Sequence, residues 1–262
     1  MSAIKSYSII RIDKGRRLEL EDLVTCEYSL ELIIGEKPFA RLLCSPDSLP
    51  VLITGHLFGE GIINGVEDIL SLKLDEQSGR AYLCLSAEAE KRAFTEDVKT
   101  LTTGLGPQKS LAYALERSPI GSKSDASNFT LKAEMILRRA ADFQSSSELF
   151  AATGGVHSCS LCDENTVIYF YEDIGRHNVF DKLIGRGLTD NIDFSKTFIV
   201  TSGRIPGYMV LKAAHAGIPV IVSRAAVTDA AICLAEETGI TLCGFARGER
   251  LNIYTGENRI VL

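Results

Sequence analysis

The sequence predicts a mixed α/β (α+β overall) protein, with a smaller β-rich domain followed by a layered α/β domain. Residues 7–85 carry short runs of β-branched or alternating apolar residues between turn formers, which is typical of strands and hairpins. From Gly154 onward, strand-like and helix-like segments alternate, as in layered α/β domains. Residues 100–128 scatter glycine, proline, serine and lysine among few large apolar residues. We therefore predict domains over residues 1–99 and 129–262, joined by a mobile loop over residues 100–128.

The first domain is predicted to contain hairpins and two helices. Gly35 to Pro38 lies between two apolar runs and is predicted to form a hairpin turn. The tripeptide Ser45 to Asp47 suits a helix start, and leucines and an isoleucine at helical spacing follow it. The predicted strands are Tyr7–Ile12, Val24–Ile34, Phe39–Cys44, Ile69–Leu74 and Ala81–Leu85, and the predicted helices are Ser48–Phe58 and Ala87–Thr95.

The second domain is predicted to alternate strands with helices. Its first strands, Val156–Cys162 and Thr166–Tyr171, are separated by the turn Asp163 to Asn165 and therefore form a predicted hairpin. The other predicted strands are Thr197–Thr201, Pro219–Ser223 and Thr241–Cys243, and the predicted helices are Leu131–Phe143, Val179–Ile184, Met209–His215 and Ala230–Glu237.

Composition narrows the classes of function. The 262-residue chain has a net charge of −6, so we expect no broad basic surface for nucleic acid. No apolar stretch is long and uncharged enough to span a membrane, and the first residues lack the apolar core of a signal peptide. Seven cysteines, an odd number in a chain of ordinary size, do not suit a secreted disulfide framework. We expect a cytoplasmic protein whose cysteines are mostly reduced and buried.

One construction occurs three times in the second domain: a strand-like run is followed by a glycine and an arginine. These steps end at Arg176, Arg204 and Arg247, and two of them precede a helix-like segment. Glycine at a strand exit lets backbone N–H groups approach a ligand, and arginine offers a planar set of donors that matches phosphate oxygens. A following helix N-terminus adds partial positive charge. A single step indicates only a solvated arginine, whereas three predict a site for a phosphorylated or otherwise anionic ligand.

Cys159 and Cys162, with His157 nearby, suggest zinc binding or dithiol chemistry. The predicted strand argues against both, because side chains an odd number of steps apart point to opposite faces of a sheet. Their Cα atoms would lie roughly 10 Å apart, beyond the ~4.4–6.8 Å of a disulfide. No second cysteine-histidine cluster completes a tetrahedral metal site. We predict no structural metal.

His177 lies at a predicted helix start, where it could donate to phosphate or shuttle a proton. The alternative is a helix-capping or buried structural histidine. Glu172 and Asp173 could orient Arg176 or accept from a sugar or base, or they could simply be favourable charges in a first helical turn. His215 lies on a predicted helix and is predicted to be structural, and the same is predicted for His56.

Five segments of the second domain carry a family resemblance: Gly154–His157, Glu172–Gly185, Thr201–Arg204, Lys212–Ser223 and Thr241–Thr255. Together they resemble the FdhD family of formate dehydrogenase accessory proteins. The resemblance implies a cytoplasmic homodimer that takes sulfur from a cysteine desulfurase. It implies that the sulfur passes to molybdenum in the bis(molybdopterin guanine dinucleotide) cofactor, before insertion into formate dehydrogenase. It also implies a C-terminal domain similar to the cytidine deaminase fold, without its zinc.

The resemblance also implies which residues contact the cofactor. The family's glycine-phenylalanine-alanine-arginine-glycine motif is associated with the cofactor, and its counterpart begins at Gly244 in this chain. The residues that we predict to bind the guanine nucleotide part are Arg176, His177, Arg204, Phe245, Ala246, Arg247, Gly248, Glu249 and Arg250.

The chain departs from the family pattern in one place. The family usually carries a Cys-Gly-x-Cys pair in the loop between its domains, and the first cysteine forms the persulfide. The corresponding stretch, Leu101 to Ser110, keeps glycines at Gly104 and Gly106 but contains no cysteine. Because a persulfide requires an accessible thiolate, no catalytic residue is assigned in this stretch.

Two functions from different classes therefore remain. The first is the family's sulfurtransferase activity, with the persulfide on another cysteine such as Cys159 or Cys162. The second is a non-catalytic escort that binds the cofactor without carrying sulfur. A zinc-dependent deaminase is disfavoured, because the chain lacks His-x-Glu paired with Pro-Cys-x-x-Cys.

Overall fold

The computed structural model describes residues 2–94 and 129–262. The predicted loop over residues 100–128, with Gly104 and Gly106, lies outside the described residues. Within them the chain forms seven α-helices and fourteen strands in four sheets, which confirms a mixed α/β fold. None of the described helices is long and apolar enough to cross a membrane.

The first part of the chain holds a separate hairpin and a four-stranded sheet. Strands β1 (Ile4–Asp13) and β2 (Arg16–Thr25) pair antiparallel as a two-stranded sheet. The four-stranded sheet has the order β4-β3-β6-β5. Its strands are β3 (Tyr28–Ile34), β4 (Lys37–Cys44), β5 (Ile69–Asp75) and β6 (Arg80–Leu85).

The predicted strand over residues 24–34 is wrong, because two strands share it. The extended strand is interrupted at Cys26, whose N–H donates to the Ala3 carbonyl at 2.9 Å. Of strand β2, only the last two residues lie within a predicted strand, since the charged residues in the rest of it conceal the strand pattern. Both predicted hairpins of the four-stranded sheet are confirmed, and so are the helices α1 (Leu49–Gly59) and α2 (Ala87–Ala93).

The second part is built on a six-stranded sheet with the order β13-β12-β11-β10-β8-β9. Strands β10, β11 and β12 run parallel, β8 runs antiparallel to β10, and β9 runs antiparallel to β8. The carboxyl ends of β9 to β12 and the start of β8 therefore share one edge. The strands are β8 (His157–Cys162), β9 (Val167–Asp173), β10 (Phe198–Thr201), β11 (Val220–Ser223), β12 (Thr241–Arg247) and β13 (Arg250–Thr255).

Helices cover both faces of this sheet. One buried cluster joins one face to α1 and to three later helices, and a second cluster joins the other face to α3. This layering agrees with the prediction, whereas the likeness to the deaminase fold stays a prediction. The helices are α3 (Ala133–Ser145), α4 (Glu148–Thr153), α5 (Arg176–Thr189), α6 (Gly207–Ala216) and α7 (Asp229–Thr238).

The helix predicted over residues 131–143 is present, but it begins at Ala133, two residues later than predicted. Leu131–Lys132 forms the short strand β7, which pairs in parallel with β14 (Ile260–Val261). The pairing with the C-terminal strand, which is remote in sequence, takes these residues out of the helix.

The two parts meet through a close contact between α1 and α5. A Cβ atom on Gly55 would lie 1.8 Å from the Asp181 carbonyl oxygen, and one on Gly185 would lie 1.9 Å from the Val51 carbonyl oxygen. Only glycine permits such an approach of two helix backbones. Because one core cluster spans both parts, the division into two domains stays a prediction.

The expectation that strand alternation separates Cys159 from Cys162 is confirmed. Cys159 packs in the cluster on one face of the sheet and Cys162 in the cluster on the other, so strand alternation separates them. Both thiols are free.

Candidate functional site

Four arginines gather where the parallel strands of the six-stranded sheet end, and we call this region the arginine edge. Arg204 follows the end of β10, Arg224 follows β11 directly, and Arg247 is the last residue of β12. Arg176 opens α5, just after β9. The glycine-arginine steps thus meet at one edge, as their strand positions predict. Arg224 was missed, because it follows its strand without a glycine.

His157 lies between two of these arginines, at the start of β8. Burial lowers the pKa of His157, and the positive charges of Arg176 and Arg204 lower it further. A Cβ atom on Gly203 would lie 3.4 Å from Arg176 Cβ and 3.5 Å from His157 Nδ1. The loop after β10 therefore lies against both side chains at Gly203, and the imidazole feels the charge of both arginines.

Arg224 and Arg247 form the other half of the arginine edge. Arg247 donates from Nε to the Arg224 carbonyl at 2.6 Å, and Arg224 donates from Nη1 to the Ala140 carbonyl at 2.9 Å. Burial, followed by the charge of Arg247, lowers the pKa of Arg224. Two guanidinium groups are thus held near each other by backbone contacts.

A cavity of about 540 Å³ opens at the arginine edge. Aromatic and aliphatic side chains line it together with serine, histidine and arginine groups, which suits an amphipathic ligand. The lining residues are Phe143, Ser147, Phe150, Gly154, Gly155, Val156, His157, Ser158, Ile174, Ser202, Arg224 and Arg247. Of the predicted nucleotide-binding residues, Arg247 lines this cavity.

Three arginines of this edge have no carboxylate partner among the residues that the structure describes. Within the described parts of the chain, the ion pairs of arginine involve other residues and leave Arg176, Arg204 and Arg247 without one. The Nε atom of Arg176 is also buried with no hydrogen-bond acceptor there. A buried donor without an acceptor is costly, so an anionic ligand would satisfy it.

The hairpin that carries Arg247 has an unusual backbone. Phe245 has a φ of 51°, in the left-handed region that few residues other than glycine adopt. Its N–H donates to the Ala225 carbonyl at 3.0 Å, and the Arg250 guanidinium lies 5.0 Å from the centre of its ring. A β-bulge interrupts the pairing between Gly244 and Arg247. Strained backbone of this kind is concentrated at functional sites.

Glu172 and Asp173 do not lie in a helical turn, so that interpretation was wrong. Strand β9 continues through both residues. Glu172 accepts from the Leu149 and Phe150 N–H groups, each at 3.0 Å, and so fixes α4 as a wall of the cavity. Asp173 is fully buried and pairs with Lys182 at 2.8 Å. Both carboxylates therefore make contacts that stabilise the fold.

His177 lies behind the arginine edge and does not line the cavity. Burial lowers its pKa to about 4, and the charges of Lys212 and Arg176 add to this effect. Its ring meets that of Tyr208 edge-on, with centroids 6.2 Å apart. His177 is therefore neutral near pH 7, and its predicted role toward phosphate stays a prediction.

Beneath the arginine edge, helices α1, α5 and α6 and strand β9 share a buried network of paired charges, which includes the Asp173–Lys182 pair. Lys212 lies 2.5 Å from Asp181 and 3.8 Å from Glu60, which also accepts from the Tyr208 hydroxyl. His56 lies 3.5 Å from Asp181. His215 packs on Phe58, with ring centroids 4.3 Å apart. The prediction that His56 and His215 are structural agrees with these contacts.

Comparison with known proteins assigns the family. A model of the FdhD/NarQ family matches residues 25–261. The chain belongs to this family. The sulfur carrier protein FdhD of Listeria monocytogenes serovar 1/2a is 35% identical over 260 residues, which cover 99% of this chain and 100% of that protein. The sulfur carrier protein FdhD of Bacillus subtilis strain 168 is 33% identical over 252 residues, or 95% of each chain.

A solved structure supports the same assignment. The crystal structure of a formate dehydrogenase accessory protein from Desulfotalea psychrophila matches with a TM-score of 0.80 at 26% identity. The match covers 99% of this chain and 100% of that chain. The FdhD/NarQ fold therefore extends over both the hairpin and the six-stranded sheet.

The cysteines of this FdhD/NarQ protein fall into two groups. Cys44, Cys159, Cys162 and Cys243 are buried, and Cys26, Cys84 and Cys233 are partly or fully exposed. Burial raises the pKa of Cys162 to about 11, and it raises the pKa of Cys159 well above its ordinary value. Because a persulfide forms on an accessible thiolate, burial argues against Cys159 and Cys162 as its carriers. No cysteine is among the residues that line the cavity.

Proposed function

We propose that this chain serves formate dehydrogenase maturation by binding the molybdenum cofactor through its guanine dinucleotide at the arginine edge. The observation that carries the proposal is the set of three arginines without carboxylate partners among the described residues, of which Arg247 lines the cavity and Arg176 has a buried Nε with no acceptor in that part of the chain. The cofactor is the client of this chain, and its nucleotide phosphates are anions of the kind that such a site requires.

Charged residues of the arginine edge bind the phosphates, and the shape of the cavity accommodates the rest of the nucleotide. Arg176, Arg204 and Arg247 donate to phosphate oxygens, and each charge-assisted hydrogen bond contributes roughly 1.5–3 kcal/mol. The Gly248 turn, at a φ of 57°, presents backbone beside Arg247. Phe143 and Phe150 offer an apolar wall to the flat guanine ring.

The neutral His157 adds a hydrogen-bonding group between two cations. A cationic imidazole there would repel Arg176 and Arg204, and both arginines lower its pKa. In the neutral form, one ring nitrogen donates and the other accepts. His157 therefore recognises a polar group of the ligand without adding charge.

Sulfur carriage is the second candidate function, and the likeness to sulfur carrier proteins favours it. In that reaction a thiolate of this chain attacks the terminal sulfur of a desulfurase persulfide, a new S–S bond forms, and the desulfurase thiolate leaves. The accessible thiols are Cys26, Cys84 and Cys233, none of which lines the cavity. The geometry thus supports the cofactor-binding escort over a sulfurtransferase.

Persulfide loading separates the two candidates. The full chain is incubated with a cysteine desulfurase and cysteine, and intact-mass and peptide mass spectrometry then locate any added sulfur. The escort function predicts no stoichiometric mass gain of one sulfur, with GDP binding retained. A stoichiometric persulfide on Cys26, Cys84 or Cys233 that passes to the cofactor would establish a relocated sulfurtransferase instead.

A further inference from the structure

The turn that carries Arg176 is held by a segment from the first part of the chain. This turn, residues 173–175, leads from β9 into α5, and the segment that holds it lies between β4 and α1. The Ser45 N–H donates to the Asp173 carboxylate at 3.0 Å, and the Ser45 hydroxyl accepts from the Ile174 N–H at 3.2 Å. Ser45 is fully buried, so water does not compete for these bonds. One residue of the first part therefore fixes two successive residues of the turn.

Asn178 reinforces the same junction from the first turn of α5. Its Nδ2 group donates to the Leu43 carbonyl of β4 and to the Asp173 carboxylate, each at 2.7 Å. The Asp173 carboxylate also accepts from the Gly175 N–H at 2.8 Å. A Cβ atom on Gly175 would lie 2.5 Å from Asn178 Nδ2, so the turn has little room to shift. The contacts between the two parts thus leave the turn in one position.

Arg176 follows this turn directly and extends from it to the arginine edge. Its backbone opens α5, and its Nε atom is buried with no hydrogen-bond acceptor among the described residues. A Cβ atom on Gly203 would lie 3.4 Å from Arg176 Cβ and 3.9 Å from Arg176 Cδ. The side chain is therefore confined between the turn and the loop after β10. Because it leaves the backbone at the end of the turn, the position of its guanidinium group depends on the turn.

We propose that Ser45 is a positioning residue for the arginine edge: it holds the turn from the first part of the chain and thereby directs Arg176 toward the ligand. This role rests on the proposed binding of a nucleotide at this edge. Ser45 does not line the cavity, whose lining residues all belong to the second part, so it acts through the turn and not by contact with the ligand. A turn that is ordered before binding avoids the cost of ordering it on binding.

Titration calorimetry with GDP tests this role on the full chain. Ser45→Ala removes the acceptor of the Ile174 N–H and keeps the backbone bond to Asp173. We expect it to weaken GDP binding by about fivefold, because binding must then order the turn. Ser45→Cys fills nearly the same space with a weak acceptor, and it provides the same comparison if Ser45→Ala does not fold.

A second set of variants shows whether Ser45 acts through Arg176. Arg176→Met should weaken GDP binding by itself, since it removes a charge-assisted contact. When Ser45→Ala is added to Arg176→Met, the affinity should change by less than about 1.5-fold, because no guanidinium group remains to be positioned. The matched control is Thr54→Ala, which removes a buried hydroxyl of the first part that donates to the Pro50 carbonyl at 3.0 Å. This control should bind GDP like the wild type.

Several results would overturn the role of Ser45 while nucleotide binding stands. One is a Ser45→Ala or Ser45→Cys variant that folds and binds GDP as tightly as the wild type. Others are an unchanged affinity of Arg176→Met, an equal loss from Ser45→Ala in the wild-type and Arg176→Met backgrounds, or a comparable loss in Thr54→Ala. A wild-type chain that does not bind GDP would instead overturn nucleotide binding itself, and the role of Ser45 with it.

Discussion

The arginine edge and the buried network beneath it use the same kinds of charge in opposite ways. In the network, Lys182 and Lys212 are almost wholly buried and each touches a carboxylate within 3 Å. At the edge, Arg176, Arg204 and Arg247 have no carboxylate partner among the described residues. The paired charges are neutralised by groups of the same chain, whereas cations without such a partner favour binding of an external anion. The contrast distinguishes charges that are paired within the fold from charges that we propose bind a ligand.

Removing Asp173 should have the largest effect on stability. Its carboxylate accepts from the Ser45 N–H at 3.0 Å and from Asn178 Nδ2 at 2.7 Å, and it pairs with Lys182. Asp173→Ala would leave a buried lysine without its fully buried partner, which costs about 3–5 kcal/mol of unfolding free energy. Urea denaturation measures this loss. A loss below about 1 kcal/mol, the value of an exposed pair, would contradict the structural role of the network.

The free energy of unfolding should decrease in acid because His177 is buried and neutral in the folded chain. Its folded pKa of about 4 lies below the ordinary value of 6.5, so the unfolded chain takes up the proton first as the pH falls. The stability contributed by His177 is fully present above pH 6.5 and is lost as the pH falls toward 4. Unfolding free energies of the wild type and His177→Asn, measured across this window, should therefore converge as the pH falls. A constant difference would show that His177 keeps an ordinary pKa.

Removing an edge arginine should have the smallest effect on stability. Arg204 is exposed and has no carboxylate partner in the described structure, so Arg204→Met should change the unfolding free energy by no more than about 0.5 kcal/mol. The same denaturation series as for Asp173→Ala provides the comparison. A loss comparable to that of Asp173→Ala would mean that the edge is part of the structural network.

The position of the site could be predicted from the sequence, but its composition could not. Parallel strands end at one edge, so Arg204 and Arg247 were placed together by their positions after strand-like runs. His157 was considered only as a partner of Cys159, because nothing local shows that it lies beside two arginines. The strain at Phe245 arises from a bulge in the hairpin, which local patterns do not reveal.

The buried network escaped prediction for a different reason. Lys182 and Lys212 lie on helices, where lysine usually marks a solvated face. Their burial depends on carboxylates contributed by other elements, such as Asp173 on β9 and Asp181 on α5. Only the packing of α1 against α5 and α6 shows which charges are enclosed. Tertiary contacts, which the sequence pattern does not show, therefore determine which lysines are buried and paired.

Titration calorimetry with GDP tests the central claim most directly. The wild type is compared with the double variant Arg204→Met/Arg247→Met and with Arg186→Met, a control arginine that pairs with Asp190 at 2.8 Å. We expect the double variant to bind GDP at least about tenfold more weakly, since two charge-assisted contacts are lost. The control should bind like the wild type. Equal affinity of the double variant and the wild type would contradict binding at the arginine edge.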